Sequence, residues 1–532
     1  MQTCAAEKRR RRKRGSFPKS AERVFINTDV CEGCGDCGVQ SNCVSLVPVE
    51  TELGRKRAVD QSSCNFDMSC LKGFCPSFVT VEGAEVRRDP TVDVDVGDLP
   101  EPALPAIDGT HNVVITGVGG TGVVTIGAVM AQAAQLDGMG AGMIEMAGLA
   151  QKGGAVHIHL RLARRPEDIT AIRVATGEAH AVIGGDLVTT AGSKTLGLMT
   201  GGVTGAVVND HEITTGDFTR NTEFAIPTER LKLSLEARLG GRLAMFDASA
   251  LAKAVLGDSI FSNMMILGAA WQMGLVPLSG AAIRRAVELN GAAVEGNLRA
   301  FEIGRWAARD PDAAARVAAP NVVALPKSLE ERIAFRESHL RKHSGARVAA
   351  RYRAAVDRVE DPRLREAVAL GYHKLLAYKD EYEVARLHRK TRAKVRAEFA
   401  GDVKLTYHLA PPVVSKEGPD GRPAKRRFGA WIERAYGVLA PMKVLRGTPF
   451  DPFGRTAERR MERALIAEYE ADLDAVLPVA GRNLDAAVAW AEVPLSIRGF
   501  GPVKARNAAA AAKRREEALA ALRAPARKAA AE

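Results

Sequence analysis

The sequence predicts an α/β protein in three parts: a cysteine-dense segment, an open and mainly parallel α/β sheet covered by helices, and a mostly helical C-terminal domain. Three observations predict it. Seven of the eight cysteines fall between Cys31 and Cys75. From Asn112 to about Arg309 short apolar strands alternate with helical stretches. Beyond about residue 310 strand signals nearly vanish, and charged segments with apolar residues at helical spacing take over. The 532 residues, 46% hydrophobic and 26% charged, suffice for about three or four domains with a sizeable core.

Residues 1–20 form a basic lead-in whose run Lys8 to Arg14 is followed by no apolar signal-peptide core. The thiols are therefore expected to stay reduced, in a cytoplasmic protein, where clustered cysteine holds metal more often than disulfides. The net charge of +12 raises nucleic acid as a partner. The run has no interleaved aromatics, however, and no helix-turn-helix or zinc-finger spacing follows it, so it reads as a solvated segment lying on an acidic partner surface, with no nucleic acid bound.

In residues 21–83, "CEGCGDCGVQSNC" contributes Cys31, Cys34 and Cys37 as C-x2-C-x2-C. That spacing wraps three thiolates around one iron–sulfur cluster, whereas structural zinc takes two separated C-x2-C pairs. The remote fourth ligand of such a cluster is a cysteine followed by proline, and Cys75 precedes Pro76. Cys31, Cys34, Cys37 and Cys75 thus make a complete [4Fe–4S] set. Cys43, Cys64 and Cys70 are one ligand short of a second. They leave two readings open: a second site completed by a non-cysteine ligand, a three-iron form or Cys4, or three packed thiols.

Residues 84–110, rich in Pro, Asp and Val, read as an extended linker. In residues 111–310, "NVVITG", "AVHIHLRLA", "AHAVIGG", "GAVVND" and "LAMFD" read as strands. The uncharged stretch Asn112 to Leu136 is broken by glycines, so it reads as strand, turn and helix, not as a membrane span. Gly117, Gly119 and Gly122 match G-x-G-x-x-G between that strand and helix, with Glu145 at the distance of a ribose contact. A Rossmann-like dinucleotide site and a merely tight strand-to-helix turn both fit. Residues 311–505 read as helical, and residues 506–532 as an Ala/Arg-rich helix fraying into a tail.

The two glycine motifs together, "GVGGTGVVTIGAVMAQAAQLDGMG" and "GLAQKGG", resemble the gamma domain of 2-oxoacid:ferredoxin oxidoreductases. The resemblance marks Gly117, Gly119, Gly120 and Gly122, then Gly148, Ala150, Gln151, Lys152, Gly153 and Gly154, and in two closing helices Asn263, Gly268, Asn297 and Gly304. The cysteine pattern, "AYKDEYEVARL", "HLAPP", "LRGTPFDPFG" and "IRGFGPVK" extend it to nearly the whole chain, which resembles the fused indolepyruvate ferredoxin oxidoreductase-like chains of bacteria. In those chains the basic run is internal, which implies a truncated, split or interrupted gene. Their thiamine-pyrophosphate modules carry a G-D-G motif, and no G-D-G occurs here. The resemblance implies that a partner half binds thiamine pyrophosphate and Mg2+, that coenzyme A takes the acyl group, and that ferredoxin takes electrons from the [4Fe–4S] cluster in an oligomeric assembly. Two rivals stay open: NAD(P)H oxidation at Gly117–Gly122, and a non-catalytic iron–sulfur scaffold or remnant.

His157 and His159 share one face of their strand, but no third ligand stands near them in sequence, so they read as polar-face histidines. His408, before two prolines, reads as stabilising a turn. No nucleophile–base pair is assigned.

Overall fold

A computed structural model describes residues 8, 11–12, 14–18, 20–87, 91–147, 154–212, 218, 221, 223–319, 328–411, 415 and 422–524. The chain divides into two compact units, one of Met1–Phe17 and Arg88–Val323, the other of Pro18–Arg87 and Ala324–Glu532. Among the described residues no helix is long and apolar enough to cross a membrane.

The first unit is built on a six-stranded sheet. Its order is Leu243–Phe246, Gly205–Asn209, Ala181–Gly184, Thr110–Val118, Ala155–Ala163 and Gly140–Ala147. The first four strands run parallel, as the α/β alternation predicts. The other two pairings are antiparallel. Strand Gly140–Ala147 carries no β-branched run and includes two glycines, so its sequence gives little strand signal. Helices cover both faces, which is why Thr110–Val118 is buried over nearly its whole length. On one face Val113, Ile115 and Ile158 pack with Ile126 and Met130 of helix Val123–Leu136. On the other, Val114, Val182 and Val208 pack with Leu235 and Leu239.

Helices Ser262–Gln272 and Val294–Arg309 meet through glycine. A Cβ on Gly268 would lie 2.0 Å from the Phe301 carbonyl oxygen, and one on Gly304 would lie 2.0 Å from that of Met265. Gly304→Ala should therefore push the helices apart, costing about 3 kcal/mol as overpacked helix contacts do. Thermal unfolding checks this, and an unchanged midpoint for the first transition would show that the close approach is dispensable. Residues of the expected linker are pinned to this unit: Arg305 donates to the carbonyls of Leu99 at 2.8 Å and Pro100 at 3.2 Å, and Val94 is buried.

The second unit joins the cysteine segment to the helical region in one sheet. Strands Glu22–Ile26, Phe78–Glu82, Lys404–Leu409 and Arg426–Phe428 pair antiparallel in that order. The segments read separately as iron–sulfur and helical are one folding body, because each supplies strands the other needs. Helices Ala346–Asp357, Pro362–Leu376, Ala457–Val476 and Leu484–Glu492 form the main core around Tyr352, Tyr372, Tyr469 and Trp490. The Ala/Arg-rich segment is helical from Gly501 to Arg523, with Ala508, Ala511 and Leu522 buried against that core.

Candidate metal centre

Thiols bind metal as thiolates, and thiolates gathered in a low-dielectric interior repel one another until cationic charge offsets them. The loop after strand Glu22–Ile26 gathers them in this way. Its first residue, Asn27, accepts from the N–H groups of Val30 at 3.1 Å and Cys31 at 2.9 Å, while its side chain donates to Thr391 Oγ1 at 2.8 Å. Gly33 and Gly35 take φ of +69° and +74° and turn the chain twice within C-x2-C-x2-C. A Cβ on Gly33 would lie 2.1 Å from the Arg55 carbonyl oxygen. Helix Asp36–Ser41 starts at this turn and carries Cys37. From the remote side Gly73 approaches so closely that a Cβ there would sit 2.7 Å from Cys37 Cα, and Cys75 follows two residues later.

The four thiols act on one another. Burial first, then the neighbouring sulfurs, push Cys34 and Cys37 well above the ordinary thiol range and Cys75 up to about 12. Donors already point at sulfur: Gly33 N–H lies 3.3 Å from Cys31 Sγ, and Ser77 presents its N–H at 3.5 Å and its Oγ at 2.9 Å to Cys75 Sγ. Cys43, Cys64 and Cys70 gather as a separate set. Burial, then the sulfurs of Cys43 and Cys64, push Cys70 up to about 12, and Phe66 N–H lies 3.4 Å from Cys64 Sγ. All seven described cysteines are free thiols, and Cys4 lies outside the described residues. Among the described residues no three or more His, Cys, Asp or Glu side chains are drawn into a preset metal site. The sulfurs are gathered, and ligating distances are not preset.

Cations surround this loop, and none was picked out in sequence. Lys379 Nζ donates to the carbonyls of Asp29 at 2.6 Å, Val30 at 3.1 Å and Cys31 at 3.1 Å, and pairs with Glu32 at 2.9 Å. Lys374 also pairs with Glu32. Burial opposes ionisation of Glu32, yet Lys374, Lys379, Lys56 and Lys504 hold its carboxyl well below the usual range. Asp36 accepts from Phe74 N–H at 2.8 Å and pairs with Arg422 at 3.2 Å. The segment "IRGFGPVK" closes over the loop: a Cβ on Gly499 would lie 3.4 Å from Cys34 Cβ, and one on Gly501 2.7 Å from the Phe74 ring. Only its resemblance value was legible in sequence, because contacts across more than four hundred residues leave no spacing signal.

The glycine turn of the other unit is built for packing. A Cβ on Gly117 would lie 2.3 Å from Val123 Cγ2, and one on Gly122, whose φ is +84°, would lie 2.3 Å from Asn263 Nδ2. Gly120 has a φ of +98° and open space around it. Gly119 N–H donates to the Gly154 carbonyl at 2.8 Å, tying the two glycine motifs together and occupying a group that a phosphate would need. Gly148, Ala150, Gln151, Lys152 and Gly153 lie outside the described residues. Glu145 is exposed on edge strand Gly140–Ala147, opposite Ile158 and level with Ile115 in mid-sheet. The register does not bring it to the turn. His157 lies 3.3 Å from Thr195 Oγ1, while His159 Nδ1 accepts from Val174 N–H at 2.9 Å, so each has its own partner. His408, 3.2 Å from Thr80 Oγ1, ties two strands of the second unit's sheet.

Residues 112–307 match the family described as pyruvate ferredoxin/flavodoxin oxidoreductase, and residues 329–517 a family of unknown function, DUF6537. Indolepyruvate oxidoreductase subunit IorB of Thermococcus kodakarensis is 28% identical over 202 residues, 38% of this chain and 96% of the relative. The IorB subunit of Pyrococcus horikoshii matches with the same identity and coverage. The gamma subunit of a keto/oxoacid ferredoxin oxidoreductase from Geobacter sulfurreducens aligns at TM-score 0.27 and 22% identity, over 37% of this chain and 98% of its own. A 2-oxoglutarate:ferredoxin oxidoreductase from Magnetococcus marinus aligns at TM-score 0.29 and 17% identity, over 41% of this chain and 33% of its own. Residues 112–307 are thus a domain similar to the pyruvate ferredoxin/flavodoxin oxidoreductase family, and the chain is similar over 202 residues to indolepyruvate oxidoreductase IorB subunits.

Proposed function

We propose that this chain is the electron-transfer and assembly portion of an oxidoreductase that decarboxylates an aryl 2-oxo acid, indolepyruvate, to an acyl-coenzyme A and reduces ferredoxin. The observation that carries it is the gathering of Cys31, Cys37 and Cys75, buried, and Cys34, partly buried, with hydrogen-bonding groups aimed at the sulfurs of Cys31 and Cys75 and cations around the loop. Those residues would hold a [4Fe–4S] cluster, which when bound supplies a one-electron relay. Gly33 and Gly35 fold the loop that presents three of the thiolates. Ser77 and the Gly33 N–H hydrogen-bond the sulfurs, and Lys379 clamps the loop's carbonyls. Gly499 approaches Cys34, and Gly501 packs on Phe74 beside the loop. The gamma-like domain and the basic lead-in serve docking to a half that carries thiamine pyrophosphate and Mg2+. Coenzyme A belongs to that assembled enzyme, and the assembly is cytoplasmic.

The purified chain is expected to bind no thiamine pyrophosphate and to decarboxylate no 2-oxo acid. It should support ferredoxin reduction only when a thiamine-binding half is supplied. Release of carbon dioxide from indolepyruvate by the chain alone would sink this reading.

A further inference from the structure

One cation has a different placement from the rest. Lys425 immediately precedes strand Arg426–Phe428, which pairs with Lys404–Leu409, which in turn pairs with Phe78–Glu82 just after Cys75. The sheet register thus carries Lys425 back to the cysteine segment across some 350 residues of chain. Its Nζ donates to the Gly73 carbonyl at 2.6 Å and stands 4.7 Å from the centre of the Phe78 ring. Gly73 is the residue whose backbone closes on Cys37. Burial pulls Lys425 below the ordinary lysine range, and the groups that oppose this most are the sulfurs of Cys75, Cys70 and Cys37, ahead of the Asp36 carboxylate. Asp36 is itself taken up by Arg422 at 3.2 Å and Phe74 N–H at 2.8 Å. Lys425 is therefore tied by geometry to the Gly73 backbone beside Cys37 and lies within electrostatic reach of sulfurs of both cysteine sets.

We infer that Lys425 is a positioning residue that sets the reduction potential of the cluster held by Cys31, Cys34, Cys37 and Cys75, its fixed positive charge favouring the form that carries the additional electron. This rests on the cluster reading above. An ammonium in a half-buried place stays charged only beside compensating anions. Thiolate-bound cluster charge is the anion this geometry supplies, and the potential of such a centre follows the charge and hydrogen bonding around its sulfurs. A cluster held there would take up one electron with no bond made or broken, so the charge on Lys425 would act through the electrostatic field at the sulfurs.

The test is a dithionite titration of the anaerobically purified full chain, followed by EPR at constant pH, for wild type, Lys425→Gln and Lys425→Arg. Gln keeps a donor for the Gly73 carbonyl and removes the charge, and Arg keeps the charge. The expected result is full iron and sulfide in all three, with reduction of Lys425→Gln roughly tenfold less favourable. That corresponds to about 59 mV toward more negative potential for a one-electron couple, with Lys425→Arg near wild type. If Lys425→Gln loses its cluster while Lys425→Arg keeps it at the wild-type potential, the charge requirement is likewise supported. Full iron and sulfide in Lys425→Gln with an unchanged potential, an equal downward shift in Lys425→Arg, or cluster loss in both variants would overturn the role of Lys425 alone. Wild type without iron or labile sulfide would overturn the cluster reading beneath it.

Discussion

Cys75→Ser is expected to strip most of the iron and sulfide from the protein and to abolish its reduced-state EPR signal, while the α/β unit stays folded. The wild type should carry about four irons in a [4Fe–4S] centre. Cys75 is the one ligand that does not come from the loop of Cys31 to Cys37. It is delivered by the close approach of Gly73 to Cys37 and by the strand Phe78–Glu82 that follows. Serine there leaves three thiolates with no remote clamp. Replacing Cys43, Cys64 and Cys70 together serves as the control. The first centre's signal should survive it, and total iron should fall only if that second gathered set also binds metal. Zinc without labile sulfide, or a normal centre in a Cys31→Ser/Cys75→Ser double variant, would refute the ligand assignment and the relay that depends on it.

What was legible in sequence was whatever repeats or clusters locally. The C-x2-C-x2-C spacing and the cysteine before Pro76 name four thiols that lie within electrostatic reach of one another without a preset metal site, and the strand–glycine–helix run at residues 112–136 forms as read. The sheet of the second unit was not legible. Lys404–Leu409 is a six-residue strand among helices, and its partners Phe78–Glu82 lie more than three hundred residues away, so no local period announces the pairing. For the same reason nothing in the local sequence singled out Glu32, Lys379 or Lys425. Only the tertiary fold shows that they face the cysteine loop. The glycine turn shows the opposite case. Its pattern was plain, but the pattern alone did not separate a phosphate cradle from a packing device. The bond from Gly119 N–H to Gly154 and the space that Val123 and Asn263 fill against Gly117 and Gly122 favour packing.

Glu32→Gln should destabilise the second unit by about 3–5 kcal/mol, the range for removing one partner of a buried ion pair. Glu32 is 5% exposed and stands as one carboxylate facing Lys374, Lys379, Lys56 and Lys504. Cation already exceeds anion here: burial, then the charge of Lys379, push Lys56 down to about 7. Gln fills nearly the same volume, so the loss is not one of packing. It leaves ammonium groups buried with less compensation, one of them Lys379, whose Nζ holds the carbonyls of Asp29, Val30 and Cys31. The loop that presents Cys31 and Cys34 should loosen with it, and iron content should fall alongside the unfolding midpoint in denaturant. Lys374→Met added to Glu32→Gln separates the causes. If unpaired charge is the cost, the double variant should recover much of the lost stability, since it removes the orphaned cation, and its effect will fall short of the sum of the two singles. Additive losses would show instead that Glu32 and Lys374 act independently, and the cationic frame would then be no more than a set of separate surface contacts around the sulfurs.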